Sequence, residues 1–99
     1  MNQIDQLMYS WTVIKLLSTH NLLLKQSIKE LLATYKKYAI MEQLPVPIHI
    51  TTGNFSWIYL ALLDKKYDQV HDAIEKCLIL YKLVHDEQYG SIEEQTRHE

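Results

Sequence analysis

The chain has 99 residues, nearly half of them apolar, and a net charge of −2. That describes one folded domain with a modest core and excludes a disordered chain. Two glycines and two prolines are too few for the frequent turns of an all-β protein, so long helices are favoured.

In chain order, Asn2 followed by Asp5 reads as a helix start, because Asn caps well and an acid in the first turn suits the helix dipole. Ile4, Leu7, Met8, Trp11, Ile14 and Ser18 then fall on one face. A second stripe runs through Leu24, Ile28, Leu31, Leu32, Tyr35, Tyr38 and Ala39. On one unbroken helix Leu24 would stand roughly 160° from Ile4, so the two stripes would not share a core. The spacing therefore predicts a break at 18–21 and an antiparallel helix pair. The alternative, one long helix serving two surfaces, requires a partner chain on one of them.

The second helix should end near Glu42. Residues 43–54 form the linker, in which Pro45 and Pro47 hold Val46 extended and Val46, Ile48 and Ile50 lie over the core. Asn54 is a suitable cap for the next helix. Residues 55–63 are hydrophobic nearly all round, the pattern of a helix buried on most sides. A polar hinge is expected at 64–68. Beyond it Val70, Ala73, Ile74, Cys77, Leu78, Tyr81 and Val84 make a core stripe, with Asp68, Asp72, Glu75, Lys82 and Asp86 opposite. Gly90 stops this helix, and Ser91 to Glu94 has capping-box spacing. The expected fold is all-α: a small antiparallel bundle of four helices, at 3–18, 21–42, 55–63 and 67–88, with a Pro-containing crossover at 43–54. One helical domain spans 1–90, and 91–99 is a polar tail with at most a frayed short helix.

Charge and chemistry narrow the function classes. Residues 1–63 carry five lysines against three acids, and residues 64–99 carry five basic residues against nine acids. Neither half supplies the density of Lys and Arg that phosphate binding needs, and Arg97 is the only arginine. Tyr35 and Tyr38 beside Lys36 and Lys37 suggest single-strand stacking, but their core-stripe positions favour packing. No nucleic-acid partner is expected. The N-terminus lacks a signal-peptide pattern, and no apolar run approaches the length of a membrane span. A single Cys77 forms no internal disulfide. A soluble cytoplasmic protein without membrane insertion is expected.

Five histidines invite a metal-site reading, yet they are scattered over different elements. Asp68, His71, Asp72 and Glu75 share one helix face, but carboxylate-bridged sites need inward ligands from several helices. That cluster reads as a solvated acidic face. Cys77 lies mid-stripe, where a thiol is ordinarily buried and inert. No Gly-rich phosphate loop or nucleophile elbow occurs. No enzyme activity, metal or cofactor is expected.

The informative surplus is apolar. Val13, Leu16, Leu17, Leu22, Leu23, Ile79 and Leu83 lie off the principal stripes, more than a small bundle absorbs. A protein partner is expected, in a homodimer or a heteromeric complex. The predicted face is Leu16, Leu17, Leu23, Ile79 and Leu83, in a non-enzymatic interaction module such as a small adaptor, secretion chaperone or regulatory subunit. The alternative is a dedicated inhibitor, of the immunity or anti-defence kind, working through Asp68, Asp72, Glu75 and Asp86.

Residues 54–83, NFSWIYLALLDKKYDQVHDAIEKCLILYKL, contain Trp57 and Ala61 in a first helix, Tyr67 after the hinge, and Ala73 and Cys77 in a second. In this the stretch resembles a single tetratricopeptide-type helical hairpin. It departs at the glycine of the first helix, at the hinge glycine, replaced by Lys65, and at the alanine after the Tyr, replaced by Val70. The resemblance covers about thirty residues, and arrays of this type need three or more repeats for stability. It implies binding of a peptide or partner helix.

Overall fold

The computed structural model describes residues 2–47 and 55–89. Expectations for Ile48, Ile50, Asn54, Gly90 and the 91–99 tail lie outside those residues. Among the described residues there are four helices and no strand: α1 (Gln3–Ser18), α2 (Leu22–Met41), α3 (Trp57–Lys66) and α4 (Asp68–Tyr89). This is a small all-α bundle.

Each boundary has a local cause. The Asn2 side chain accepts the Asp5 N–H at 2.9 Å and opens α1. At its other end the Ser18 and Thr19 hydroxyls donate to the carbonyls of Lys15 and Leu16, each at 2.7 Å, and the backbone tightens into i→i+3 bonds. Asn21 then caps α2, its side chain accepting the Leu24 N–H at 2.9 Å. The chain therefore breaks where the two hydrophobic stripes go out of phase. Beyond Glu42, the Leu44 N–H donates to the Ala39 carbonyl and the Gln43 N–H to the Ile40 carbonyl. That is the Schellman pattern, with Gln43 at φ 59° in the left-handed position where glycine is usual.

Two boundaries shift from the sequence expectation. Helix α3 starts at Trp57, not 55, because the Ser56 hydroxyl caps it by accepting the Tyr59 N–H. Phe55 is thereby freed to enter an aromatic cluster. Its ring lies 5.4 Å from Trp11, 5.3 Å from Tyr35 and 4.9 Å from Trp57, joining α1, α2 and the entry to α3. The polar hinge of 64–68 contracts to one extended residue, Tyr67. Asp64, Lys65 and Lys66 continue the helix, and the two lysines suit its C-terminal dipole.

The elbow at Tyr67 is pinned from outside. Its ring stacks on Tyr38 at 4.2 Å, its hydroxyl donates to Glu42, and Lys66 pairs with the same carboxylate. Glu42 is held below the usual carboxylate range by those two hydrogen bonds, Lys66 first and Tyr67 second.

The core is built from the predicted stripes. Ile4, Leu7, Trp11 and Ile14 of α1, the seven expected residues of α2, and Val70, Ile74, Cys77, Leu78 and Val84 of α4 are all buried. Ala73 and Tyr81 pack against that core half-buried. Helix α3 is the exception to its pattern. It buries Leu60 and Leu63 but leaves Ile58 at 73% exposure, so it is one-sided despite its sequence. Among the described residues, no helix is long and apolar enough to cross a membrane.

Candidate partner-binding surface

Helix α4 turns its buried stripe inward, and 100° per residue fixes what stands opposite. Asp68, Asp72, Glu75, Ile79, Leu83 and Asp86 all fall on that outer side, and all are exposed. The acidic face and the α4 part of the apolar face are one surface.

A salt bridge sets how this surface meets α2. Lys76 Nζ lies 3.0 Å from Glu30 Oε2. Farther along, Tyr38 donates to Gln69. The pairing of residues 30 with 76 and 38 with 69 makes α2 and α4 antiparallel. Leu23 precedes Glu30 by about two turns, and Leu83 follows Lys76 by the same interval, each on the face of its partner in the bridge. The register therefore sets the two leucines level with each other on adjacent helices, beyond the hollow lined by Glu30, Ala33, Thr34, Gln69, Asp72, Ala73 and Lys76. Leu23, Ile79 and Leu83 are 63%, 51% and 57% exposed, and half-buried Leu80 lies between them and the core. A shallow hollow lined by Asp72, Glu75, Lys76, Ile79 and Leu80 continues the patch toward the helix start.

The structure does not assemble all five predicted interface residues. Leu17 is only 5% exposed and belongs to the core, because the inward stripe of α1 widens where α2 begins. It is not available to a partner. Leu16 is exposed but stands with Tyr9 and Val13 on the side of α1 directly opposite its buried stripe, away from the α2–α4 groove. Tyr9 was not expected there, although its spacing from Val13 and Leu16 is that of one helix face. Ile40, Met41, Ile58 and Leu62 are further exposed apolar residues that the sequence reading missed.

The chemical candidates are accounted for by ordinary contacts. His71 Nδ1 lies 2.9 Å from Asp64 Oδ1 of α3, and its Nε2 lies 4.0 Å from Glu75. The Asp64 hydrogen bond raises the His71 pKa above its ordinary value, with smaller contributions from the Asp64, Glu75 and Asp72 charges. Among the described residues, no group of three or more His, Cys, Asp or Glu side chains is arranged to hold a metal ion. Cys77 is buried, and loss of solvent pushes its thiol up to about 11, with Ser27 partly opposing. A thiol in that state is a poor nucleophile at neutral pH. Tyr35 and Tyr38 are core residues and offer no stacking platform.

Compared with known proteins, the chain matches no family model, no curated protein and no solved structure.

Proposed function

We propose that this chain is a non-enzymatic protein–protein interaction module that buries an apolar helix face against a partner. Adaptor, secretion chaperone and regulatory subunit are the roles such a module fills. The exposed apolar residues support the reading: Ile79 and Leu83 share the outer side of α4, the α2–α4 register sets Leu23 level with Leu83, and each is more than half exposed. Single exposed leucines are normal on a monomer, whereas a contiguous group across two helices marks an interaction site. The resemblance of the α3–α4 hairpin to a tetratricopeptide-type unit supports the same class of function.

The second reading, an inhibitor acting through acids, draws on Asp68, Asp72, Glu75 and Asp86 lying on the same outer side of α4. The two readings differ in salt response, since contacts between exposed charges weaken with ionic strength and apolar contacts do not. Light scattering on a sizing column at low and high salt tests the first reading. A dimer at both salts, converted to monomer by Leu83→Lys, is the expected result if the partner is a second copy. For a different partner, complex formation should survive high salt and be lost in Leu83→Lys. A complex that dissolves at high salt and tolerates Leu83→Lys would favour the acidic inhibitor.

A further inference from the structure

Lysines are sparse along the chain, yet folding gathers three of them in one place. A hollow of about 360 Å³ at the α1–α2 turn is lined by Lys15, Ser18, Thr19, Lys25, Ile28 and Lys29. No carboxylate lines it, and the sequence holds no acid between Asp5 and Glu30. Among the described residues no salt bridge reaches these three lysines, whereas Lys66 and Lys76 are paired. Glu30 follows Lys29 directly but is turned away. It stands about 100° round α2 from Lys29 and about 140° from Lys25, and it bonds Lys76 of α4.

The fold accounts for only one of the three. Lys15 lies in the last turn of α1, where the helix dipole favours a cation. Lys25 is the fourth residue of α2, close to the positive end of that helix, and no acid stands in its first turn. Lys29 follows one turn later, and like charges at that spacing repel. The three ammonium groups oppose one another, and an anion among them turns the repulsion into attraction.

The lining selects the kind of anion. The Ser18 and Thr19 hydroxyls spend their protons on the carbonyls of Lys15 and Leu16, which leaves the ammonium groups as side-chain donors. Lysine binds phosphate as a point charge, without the planar fork of a guanidinium. A phosphate monoester carries about −1.5 to −2 at neutral pH, short of three ammonium groups, whereas two adjacent phosphates match them. The hollow is near the lower end of ligand-site sizes, about 300 Å³, which suits a small anion rather than a polymer. A flat anionic bilayer is a poorer match. The register that pairs Glu30 with Lys76 and Tyr38 with Gln69 sets the exposed Asp86 and Glu87 level with the α1–α2 turn, where a bilayer would meet them too.

We infer that the hollow between the end of α1 and the start of α2 is a binding site for a soluble compound carrying two or more adjacent phosphate groups, held by Lys15, Lys25 and Lys29. The site lies apart from the outer side of α4 and does not depend on the interaction-module reading.

The test titrates pyrophosphate, orthophosphate and sulfate, at equal ionic strength, into the isotope-labelled full chain and follows the amide shifts by NMR. Pyrophosphate should bind at least about tenfold more tightly than either single anion, with the largest shifts at Lys15, Thr19, Lys25 and Lys29. Lys25→Gln/Lys29→Gln should weaken that binding at least about tenfold. Lys37→Gln/Lys65→Gln changes the net charge equally at the other end of the bundle and should bind within about twofold of the parent. All four lysines are exposed, so both variants should keep the parent's circular dichroism. No binding of pyrophosphate, shifts centred elsewhere, or equal loss in the two variants overturns the inference. Vesicles bearing phosphatidylinositol bisphosphate check the source of the phosphates. They should bind more weakly than soluble inositol trisphosphate, and tighter binding to the vesicles overturns the assignment to a soluble compound.

Discussion

Helices α3 and α4 are joined by one residue and share a core, yet they relate to their sequences in opposite ways. In α4 apolar and polar residues alternate with helical period, and the buried stripe is the one the period names. In α3 apolar residues run all round, and the structure buries Leu60 and Leu63 while leaving Ile58 and Leu62 in water. A periodic pattern specifies its own inward face. An unpatterned one leaves that choice to whatever packs against it, here α4 above all.

Truncations on the two sides of each helix are the sharpest way to break this contrast. Leu60→Ala in α3 and Ile74→Ala in α4 each remove a fully buried side chain and should cost about 2–5 kcal/mol in urea unfolding. Ile58→Ala and Ile79→Ala, on the outer sides, should stay within about 0.5 kcal/mol. A cost at Ile58 as large as at Leu60 would mean that the outer side of α3 is covered in solution, and the one-sided description of α3 would fail.

Next in size is the closure of α2, whose last turn anchors the α3–α4 elbow. Gln43 occupies a left-handed position that disfavours a side chain, so Gln43→Gly should raise stability by about 1 kcal/mol in the same assay. No gain would mean that the Gln43 side chain makes compensating contacts. The elbow itself should respond less. Tyr67→Phe removes the hydroxyl that donates to Glu42 but keeps the ring stacked on Tyr38, so the melting temperature should fall slightly while α3 and α4 stay helical by circular dichroism. Loss of helix in that variant would show the hydrogen bond, rather than the stacking, to hold the joint.

The smallest effect expected is the pH response of the contact between the two helices. His71 of α4 bonds to Asp64 of α3, and its folded pKa is raised above the ordinary 6.5. Its contribution to stability is therefore full below pH 6.5 and declines as pH rises through the folded value. His71→Gln should flatten the decline in melting temperature that the parent shows on going upward from pH 6.5. An unchanged slope would assign the response to another group.

The candidate surface was partly legible for the same reason that α4 was. Ile79 and Leu83 are visible in the sequence as residues off the core stripe, and Leu23 as a surplus apolar residue at the start of α2. That Leu23 and Leu83 stand level on adjacent helices was not visible, because it depends on the register that Lys76 and Glu30 set between two helices far apart in the chain. Leu17 shows the converse. It lies off the principal stripe, but it is buried in the core beside the turn into α2. Leu16, one position earlier, is rotated about 100° and remains outside. Ile79 and Leu83 of the apolar set project from the same side of α4 as Asp68, Asp72, Glu75 and Asp86, whereas Leu16 and Leu23 stand on other helices.

By itself the sequence determined what local interactions control: the all-α class, the break after Ser18, the end of α2 at Glu42 and the buried stripes of α1, α2 and α4. Periodicity, caps and side chain–backbone bonds act within a few residues, so they are written in short windows. Only the tertiary structure decided which side of α3 faces inward, that Phe55 leaves the helix for the ring cluster with Trp11 and Tyr35, and that Leu17 joins the core while Leu16 stays exposed. Those outcomes depend on contacts between distant segments, whose relative placement is set by the packing of the whole core.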